Sequence, residues 1–229
     1  MICKNELTTL LEVSYSYVIC EEEAKNVESL FLKAVQNDKE KASLFLNKLN
    51  NIKDILKEDL QFFMDSDPAA KSLEEIKLAY PGYKAISIYR ISHILNQMGY
   101  EVISRIFSEI AHSETGIDIH PACKIDYPFF IDHGTGIVIG ETASIGKRVK
   151  LYQSVTLGAL SLSNASALRG VTRHPQVGND VTIYAGASLL GNIKIGDNVT
   201  IGGNVFLTKD VASNMRVTIG EPKLVINSK

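Results

Sequence analysis

The chain has 229 residues, a formal charge of −2, 45% hydrophobic and 22% charged residues, the make-up of a soluble globular protein of one large domain or two small ones. It has no basic run to neutralise phosphates, which argues against nucleic acid as a partner, and no apolar stretch approaching the roughly 18 residues needed to cross a bilayer. The opening segment MICKNELTTLLEV lacks a basic start, an apolar core and a small-residue cleavage site, so no secretory leader is expected and the cytoplasm is the expected compartment. Cys3, Cys20 and Cys123 are too scattered for a disulfide framework or a paired metal motif and suit a reducing compartment as packing residues.

Residues 1–114 read as a helical domain. Val27, Leu30, Phe31, Ala34 and Val35 form one stripe, and Leu44, Leu46, Leu49, Ile52, Ile55, Leu56, Leu60 and Phe63 form a second, both at the spacing of an amphipathic helix. Pro81 and Gly82 break the chain. Ile86, Tyr89, Ile91, Ile94, Leu95 and Met98 then continue in another helix, with Gly99 as its stop. A last helix is expected from Tyr100 to His112. His93 and His112 fall within these helical patterns and read as packing or surface residues.

Residues 115–229 change period. Ile119, Ile125 and Ile131, then Ile139, Ile145, Leu151 and Leu157, recur every six positions, with a slip of two near Ile137. Val177, Ile183, Leu189, Ile195, Ile201 and Leu207 resume the grid. A small or β-branched residue follows four places after most of them: Cys123, Thr135, Ala143, Val149 and Val155, then Val181, Ala187, Ile193, Val199, Val205 and Val211. One inward aliphatic residue and one turn per hexad, with three hexads to a coil of about 18 residues, give a parallel β-helix. The fold class is therefore α+β: an all-helical N-terminal domain, then a β-helix interrupted by an inserted loop at about 159–174.

The coil names no reaction; shorter motifs do. They are Asp67-Pro68-Ala69, GYKAISIYRISH (82–93), DIHPACKI (118–125), IDHGTGIVIGET (131–142), QSVTLG (153–158) and Arg173-His174-Pro175. In this order and at these separations the chain resembles the serine acetyltransferases of the hexapeptide-repeat superfamily. The resemblance implies a left-handed coil, transfer of an acetyl group from acetyl-CoA as co-substrate to the L-serine hydroxyl as the first step of cysteine biosynthesis, and no permanently bound cofactor or metal. It also implies trimers or dimers of trimers, with donor and acceptor bound between neighbouring coils and the later helices helping to join the trimers and shape the acceptor site.

The chemistry calls for such residues. A serine hydroxyl needs a base, and an imidazole with a pKa of about 6.5 suits the task. The resemblance assigns it to His133, with Asp118 holding the imidazole's tautomer and supporting its positive charge. Their 15-residue separation permits contact between adjacent coils. A zwitterionic acceptor calls for both signs of charge: the resemblance gives its ammonium to Asp67 and Asp132, and its carboxylate to the forked guanidinium of Arg173 beside His174. Glu141 matches the same motif and reads equally as a turn residue. Ala185 and Gly203 correspond to places where small residues let the donor's pantetheine arm approach the backbone. His120, before Pro121, reads as structural.

Two segments depart from the family pattern. Ala159–Thr172 is longer than usual and holds a single glycine, Gly170, so donor contacts are not carried over there. After Gly220-Glu221-Pro222 the chain ends in Asn227-Ser228-Lys229, without the terminal isoleucine by which relatives dock into cysteine synthase, so no stable complex of that kind is expected. Three competing readings are an acetyltransferase for another hydroxyl (homoserine, a sugar or an antibiotic), a zinc hydrolyase built on His120, His133 and His174, and a non-catalytic trimeric scaffold.

Overall fold

The computed structural model describes residues 4–20, 24–34, 38–160 and 170–220. Six helices come first: α1 (Lys4–Cys20), α2 (Ala24–Ala34), α3 (Lys39–Ser66), α4 (Leu73–Ala79), α5 (Pro81–Gln97) and α6 (Glu101–Thr115). Local chemistry sets their ends. Asp38 caps α3 by accepting the Lys41 amide at 3.1 Å, and Ser72 caps α4 by accepting that of Glu75 at 3.1 Å. Pro81 is the first residue of α5, where its missing N–H costs nothing. Gly99 (φ 84°) ends the α5 segment, the Tyr100 amide reaching back to the Leu95 carbonyl at 2.9 Å. Gly116 (φ 70°) does the same for α6, which runs three residues past the expected His112.

Two helices were not legible in the sequence, α1 and the seven-residue α4. On α3 the buried face centres on Phe45, Leu49, Ile52 and Leu56, whereas Leu44, assigned to that stripe, is exposed because it lies about 100° around the helix from Phe45. Val35 lies outside the described residues, as does Cys3; Cys20 and Cys123 are free thiols.

Strands begin at β1 (Asp118–Ile119) and end at β14 (Arg216–Val217). The described strands are all paired in parallel and fall into three sheets, of five, four and five strands. β1, β4 (Val138–Ile139) and β7 (Thr156–Gly158) are neighbours in the first sheet; β2 (Lys124–Ile125), β5 (Ser144–Ile145) and β8 (Gln176–Val177) in the second; β3 (Phe129–Ile131) and β6 (Val149–Leu151) in the third. This is a left-handed parallel β-helix of hexapeptide coils. The hexad residues from Ile119 to Ile201 are buried and stack in register: Ile139 on Leu157, Val177 on Ile195, Ile183 on Ile201. Each aliphatic residue so buried contributes about 1.5–3 kcal/mol against exposure.

The coils are not all 18 residues. Asp118 pairs with Val138, and Ile131 with Leu151, twenty positions on. The two extra residues lie in the corner between β3 and β4. There Ile137 takes the buried place assigned to Thr135, which is exposed. Ile145 pairs with Val177 across the insertion, of which residues 161–169 lie outside the described chain. At the far end Val217 pairs with Ile201 only sixteen positions away.

Polar contacts seat the helices on the first coil. Arg90 donates from Nε and Nη2 to the two Asp59 oxygens at 2.6 and 2.9 Å, both side chains being buried. Asp59 also accepts the Phe129 amide at 2.9 Å. The Tyr89 hydroxyl donates to the Cys123 carbonyl at 2.8 Å and accepts the Ile125 amide at 3.1 Å. Phe63 meets Phe130 edge-on at 4.7 Å, and at Gly82 the backbone of α5 approaches Ile131 so closely that a Cβ would strike its carbonyl oxygen.

Candidate functional site

A three-sided coil has three kinds of corner, and the predicted residues fall on two of them. The corner leading into the first sheet carries Asp132, His133, Tyr152, Ser154, Tyr184, Ala185 and Gly203. The corner leading out of it carries His120, Glu141, Thr142, Arg173 and His174. Asp118, on the first strand of that sheet, stands between them.

The first corner holds the candidate base. The two-residue bulge after Ile131 is pinned at four points. The Asp132 amide donates to the Leu151 carbonyl at 2.9 Å, that of Gly134 to Asp132 at 2.6 Å, that of Ile137 to Gly134 at 3.0 Å, and that of Gly136 to Gly116 at 2.8 Å. His133 sits at its tip with φ 55° and a side chain 71% exposed. Its Nε2 lies 3.9 Å from Asp132 Oδ1. Among the described residues no hydrogen bond or ion pair joins it to Asp118. Burial is what chiefly holds His120 below the usual imidazole range and pushes the Cys123 thiol up; the nearby Asp118 carboxylate offsets part of the first shift and adds to the second.

Asp67 reaches this corner from the end of α3. Its Oδ1 accepts the Ala69 amide at 2.8 Å and its Oδ2 accepts the Tyr80 hydroxyl at 2.6 Å. That second bond, followed by burial and the nearby charges of Asp67, Glu75 and Asp132, pushes the Tyr80 phenol up to about 12. Asp67 and Asp132 also contribute, after burial and Tyr184, to the raised pKa of Tyr152, which stacks on Tyr184 with ring centroids 5.0 Å apart. Asp132 thus stands beside an exposed imidazole, and Asp67 acts with it on the same two tyrosines. Asp67 also caps α3, its amide donating to the Phe63 carbonyl, and its two side-chain bonds do not consume both oxygens' lone pairs.

Ala185 and Gly203 stack along the same edge. The Asn204 amide donates to the Ala185 carbonyl at 2.9 Å, and a Cβ at Gly203 would stand 3.2 Å from that oxygen.

The second corner is held by Thr142. Its hydroxyl accepts the Arg173 amide at 2.9 Å, and its own amide donates to His174 Nδ1 at 3.1 Å. With Nδ1 accepting, the His174 proton resides on Nε2. Burial, then the adjacent Arg173, holds His174 below the usual imidazole range. Arg173 pairs with Glu141 and thereby lowers the glutamate's pKa, so Glu141 is an ion-pair partner here. His120 Nδ1 accepts the Ala122 amide at 3.1 Å, a local turn role as expected. His120 and His174 share this corner, whereas His133 lies on the other, so within one chain the three imidazoles of the zinc reading do not converge. Thr142, Tyr80 and Tyr152 carry no individual signal in the sequence: Thr142 closes the motif 131–142, Tyr152 adjoins the motif 153–158, and Tyr80 lies in no motif.

The chain is similar to known proteins in sequence and in structure. A profile described as "Bacterial transferase hexapeptide (six repeats)" matches residues 174–209. A plasmid-borne serine acetyltransferase of Synechococcus elongatus is 50% identical over 179 residues, 77% of this chain and 56% of the relative; the chain thus spans little more than half of that relative's length. A Helicobacter pylori serine acetyltransferase is 39% identical over 170 residues, 74% of this chain and 96% of its own. Among solved structures, Entamoeba histolytica serine acetyltransferase isoform 3 in complex with cysteine superposes with a TM-score of 0.82 at 38% identity, over 96% of this chain and 84% of that one. Among the described residues no helix is long and apolar enough to cross a membrane.

Proposed function

Because the chain belongs to the serine acetyltransferase family, we propose that it transfers the acetyl group of acetyl-CoA to the hydroxyl of L-serine. The observation that carries this reading is the corner where Asp132 stands 3.9 Å from the exposed imidazole of His133, with Asp67 and Asp132 both acting on Tyr80 and Tyr152. Among the described residues neither carboxylate is paired with a lysine or arginine, which leaves both open to an ammonium group, with the base beside Asp132.

In this reading His133 removes the serine hydroxyl proton as the oxygen attacks the thioester carbonyl. The tetrahedral intermediate collapses, the C–S bond breaks, and the departing thiolate takes the proton back from His133. The products are O-acetylserine and CoA. A well-placed base supplies about 10² to 10⁴ in rate; the remainder comes from holding the two reactants together. Asp118 orients the imidazole once the substrates close the site. The edge formed by Ala185 and Gly203 receives the pantetheine arm.

Arg173 and His174 lie on the other corner, so a neighbouring copy of the chain supplies them to the serine carboxylate. The active unit is therefore a closed oligomer, a trimer or a dimer of trimers. Cysteine has serine's shape and is bound by the Entamoeba relative; it competes for the same pocket. A reducing cytosol suits the free Cys20 and Cys123 thiols.

The test is CoA release from acetyl-CoA with a panel of acceptors. Release that requires L-serine supports the reading. Release with a sugar or homoserine and none with serine replaces it by another hydroxyl acceptor.

A further inference from the structure

Away from both corners, a cavity of about 270 Å³ opens between α3, α5 and the turn after β2. Its floor is apolar and buried, formed by Ile52, Tyr89, Ile94 and Ile125. Lys48, the buried Arg90 and His93 also line it. A second recess of about 490 Å³ continues past His93 and adds Lys124 and Asn179. The volume of the first recess falls just under the range of about 300–1,000 Å³ common for ligand pockets.

The formal charge here is positive, Lys48 and Lys124 outnumbering Asp126 once Arg90 is set against Asp59. Among the described residues Asp126 is the sole carboxylate lining either recess, and its Oδ1 accepts the Tyr127 amide at 2.9 Å. Arg90 is matched by Asp59. Among the described residues, neither Lys48 nor Lys124 forms an ion pair. His93 is held neutral between them, its Nδ1 donating to the Pro121 carbonyl at 2.8 Å and its Nε2 accepting from the Gln97 amide at 2.9 Å. Burial depresses its pKa first; Arg90, Lys124 and Lys48 depress it further, so all three cations project their field onto one ring. Positive potential over an apolar floor attracts an anion that brings some apolar surface of its own.

We propose that this recess binds a small organic anion, an oxyanionic head on a short carbon body. The head lies between Lys48 and Lys124 above His93, and the body rests on Ile52 and Ile94. The site spans the joint between the helices and the first coil, so its occupant clamps α3 and α5 to β2. It stands apart from the acetyl-transfer corners and does not depend on that function.

The experiment is a calorimetric titration of the full chain with glycerol 3-phosphate, in saturating CoA so that the phosphate does not enter the donor site. Glycerol and potassium chloride at matched ionic strength serve as controls, acetate tests a carboxylate head, and NMR follows the His93 ring. Saturable binding of one equivalent per chain, with His93 titrating at higher pH when bound, is expected. Lys48→Ala with Lys124→Ala weakens that binding at least tenfold and leaves serine-dependent CoA release unchanged; each single variant carries part of the loss if the double one does not fold. No saturable binding, binding indifferent to both lysines, or an unmoved His93 overturns the proposal.

Discussion

The ring of His174 fills the space that a side chain at position 140 would need: a Cβ built on Gly140 falls inside van der Waals contact with His174 Nε2 and Cδ2. Gly140 therefore sets the height of the ring, while Thr142 fixes its rotation through Nδ1. A displacement of about 1 Å at a positioning group costs up to about a hundredfold in rate. Gly140→Ala is expected to lower kcat/KM for serine by about that factor while circular dichroism stays native. Steady-state kinetics of the folded variant check it, and an unchanged kcat/KM removes His174 from the site.

His133→Asn is the cleaner test of the base. His133 has φ 55°, a conformation that asparagine tolerates and alanine resists. Both variants are expected to lose at least about a hundredfold in serine-dependent CoA release. The alanine variant also loses about 1 kcal/mol of stability, read from its urea midpoint, and the asparagine variant does not. Activity that survives in both places the base elsewhere.

Tyr80→Phe leaves the Asp67 Oδ2 without its 2.6 Å donor. Asp67 keeps only the Ala69 amide and loses the bond that fixes its second oxygen. An expected rise in KM for serine of about fivefold corresponds to about 1 kcal/mol of lost positioning, with kcat little changed. An equal fall in kcat with KM unmoved points instead to a role in the transition state.

His93, His120 and His174 are all held below the ordinary imidazole value, in each case first by burial. Unfolded, each returns to about 6.5. Between the folded values and 6.5 the unfolded chain binds more protons, so stability rises with pH across that window. It is complete above about 6.5 and lost as pH falls through the folded values. Urea midpoints at about pH 5.5 and 7.5 are expected to show the lower value at the acid end, and His174→Gln to flatten the slope; a midpoint independent of pH contradicts this.

Arg90→Met strands the Asp59 carboxylate, which is fully buried. Desolvation already raises the Asp59 pKa, and Arg90 and the Phe129 amide offset part of that rise. Removing one partner of such a pair costs about 3–5 kcal/mol. The loss is expected in the denaturant midpoint. Asp59→Leu with Arg90→Met together are expected to recover most of it.

The coil was legible because its physics repeats: one buried aliphatic residue per hexad leaves a periodic trace from Ile119 onward. The helical half was less so. On α1, the stripe of Leu7, Leu10, Leu11 and Tyr17 is interrupted by the buried polar Ser14, and α4 is too short to show a period. The Asp59–Arg90 pair joins residues far apart in sequence, each of which reads as solvent-facing until the fold is seen. In the site, the motif residues at 132–133 and 173–174 could be named from their neighbours. Which corner each occupies could not, because it depends on where the hexad grid slips by two and where the insertion falls. The contacts of Tyr80 with Asp67 and of Thr142 with His174 exist only after α3 and the coil have docked and folded.

The edge that begins at His133 and climbs through Ser154 and Ala185 to Gly203 advances one coil at a time. Strand spacing of about 4.8 Å makes three such steps about 14 Å. The solenoid thereby acts as a ruler whose graduation is the coil itself. Because Val177 to Leu207 follows the grid without a slip, an eighteen-residue coil spliced between Ala185 and Gly203 preserves every ladder and lengthens that ruler by one mark. The reach of that edge along the axis can therefore change only in whole coils, a quantised property of this architecture.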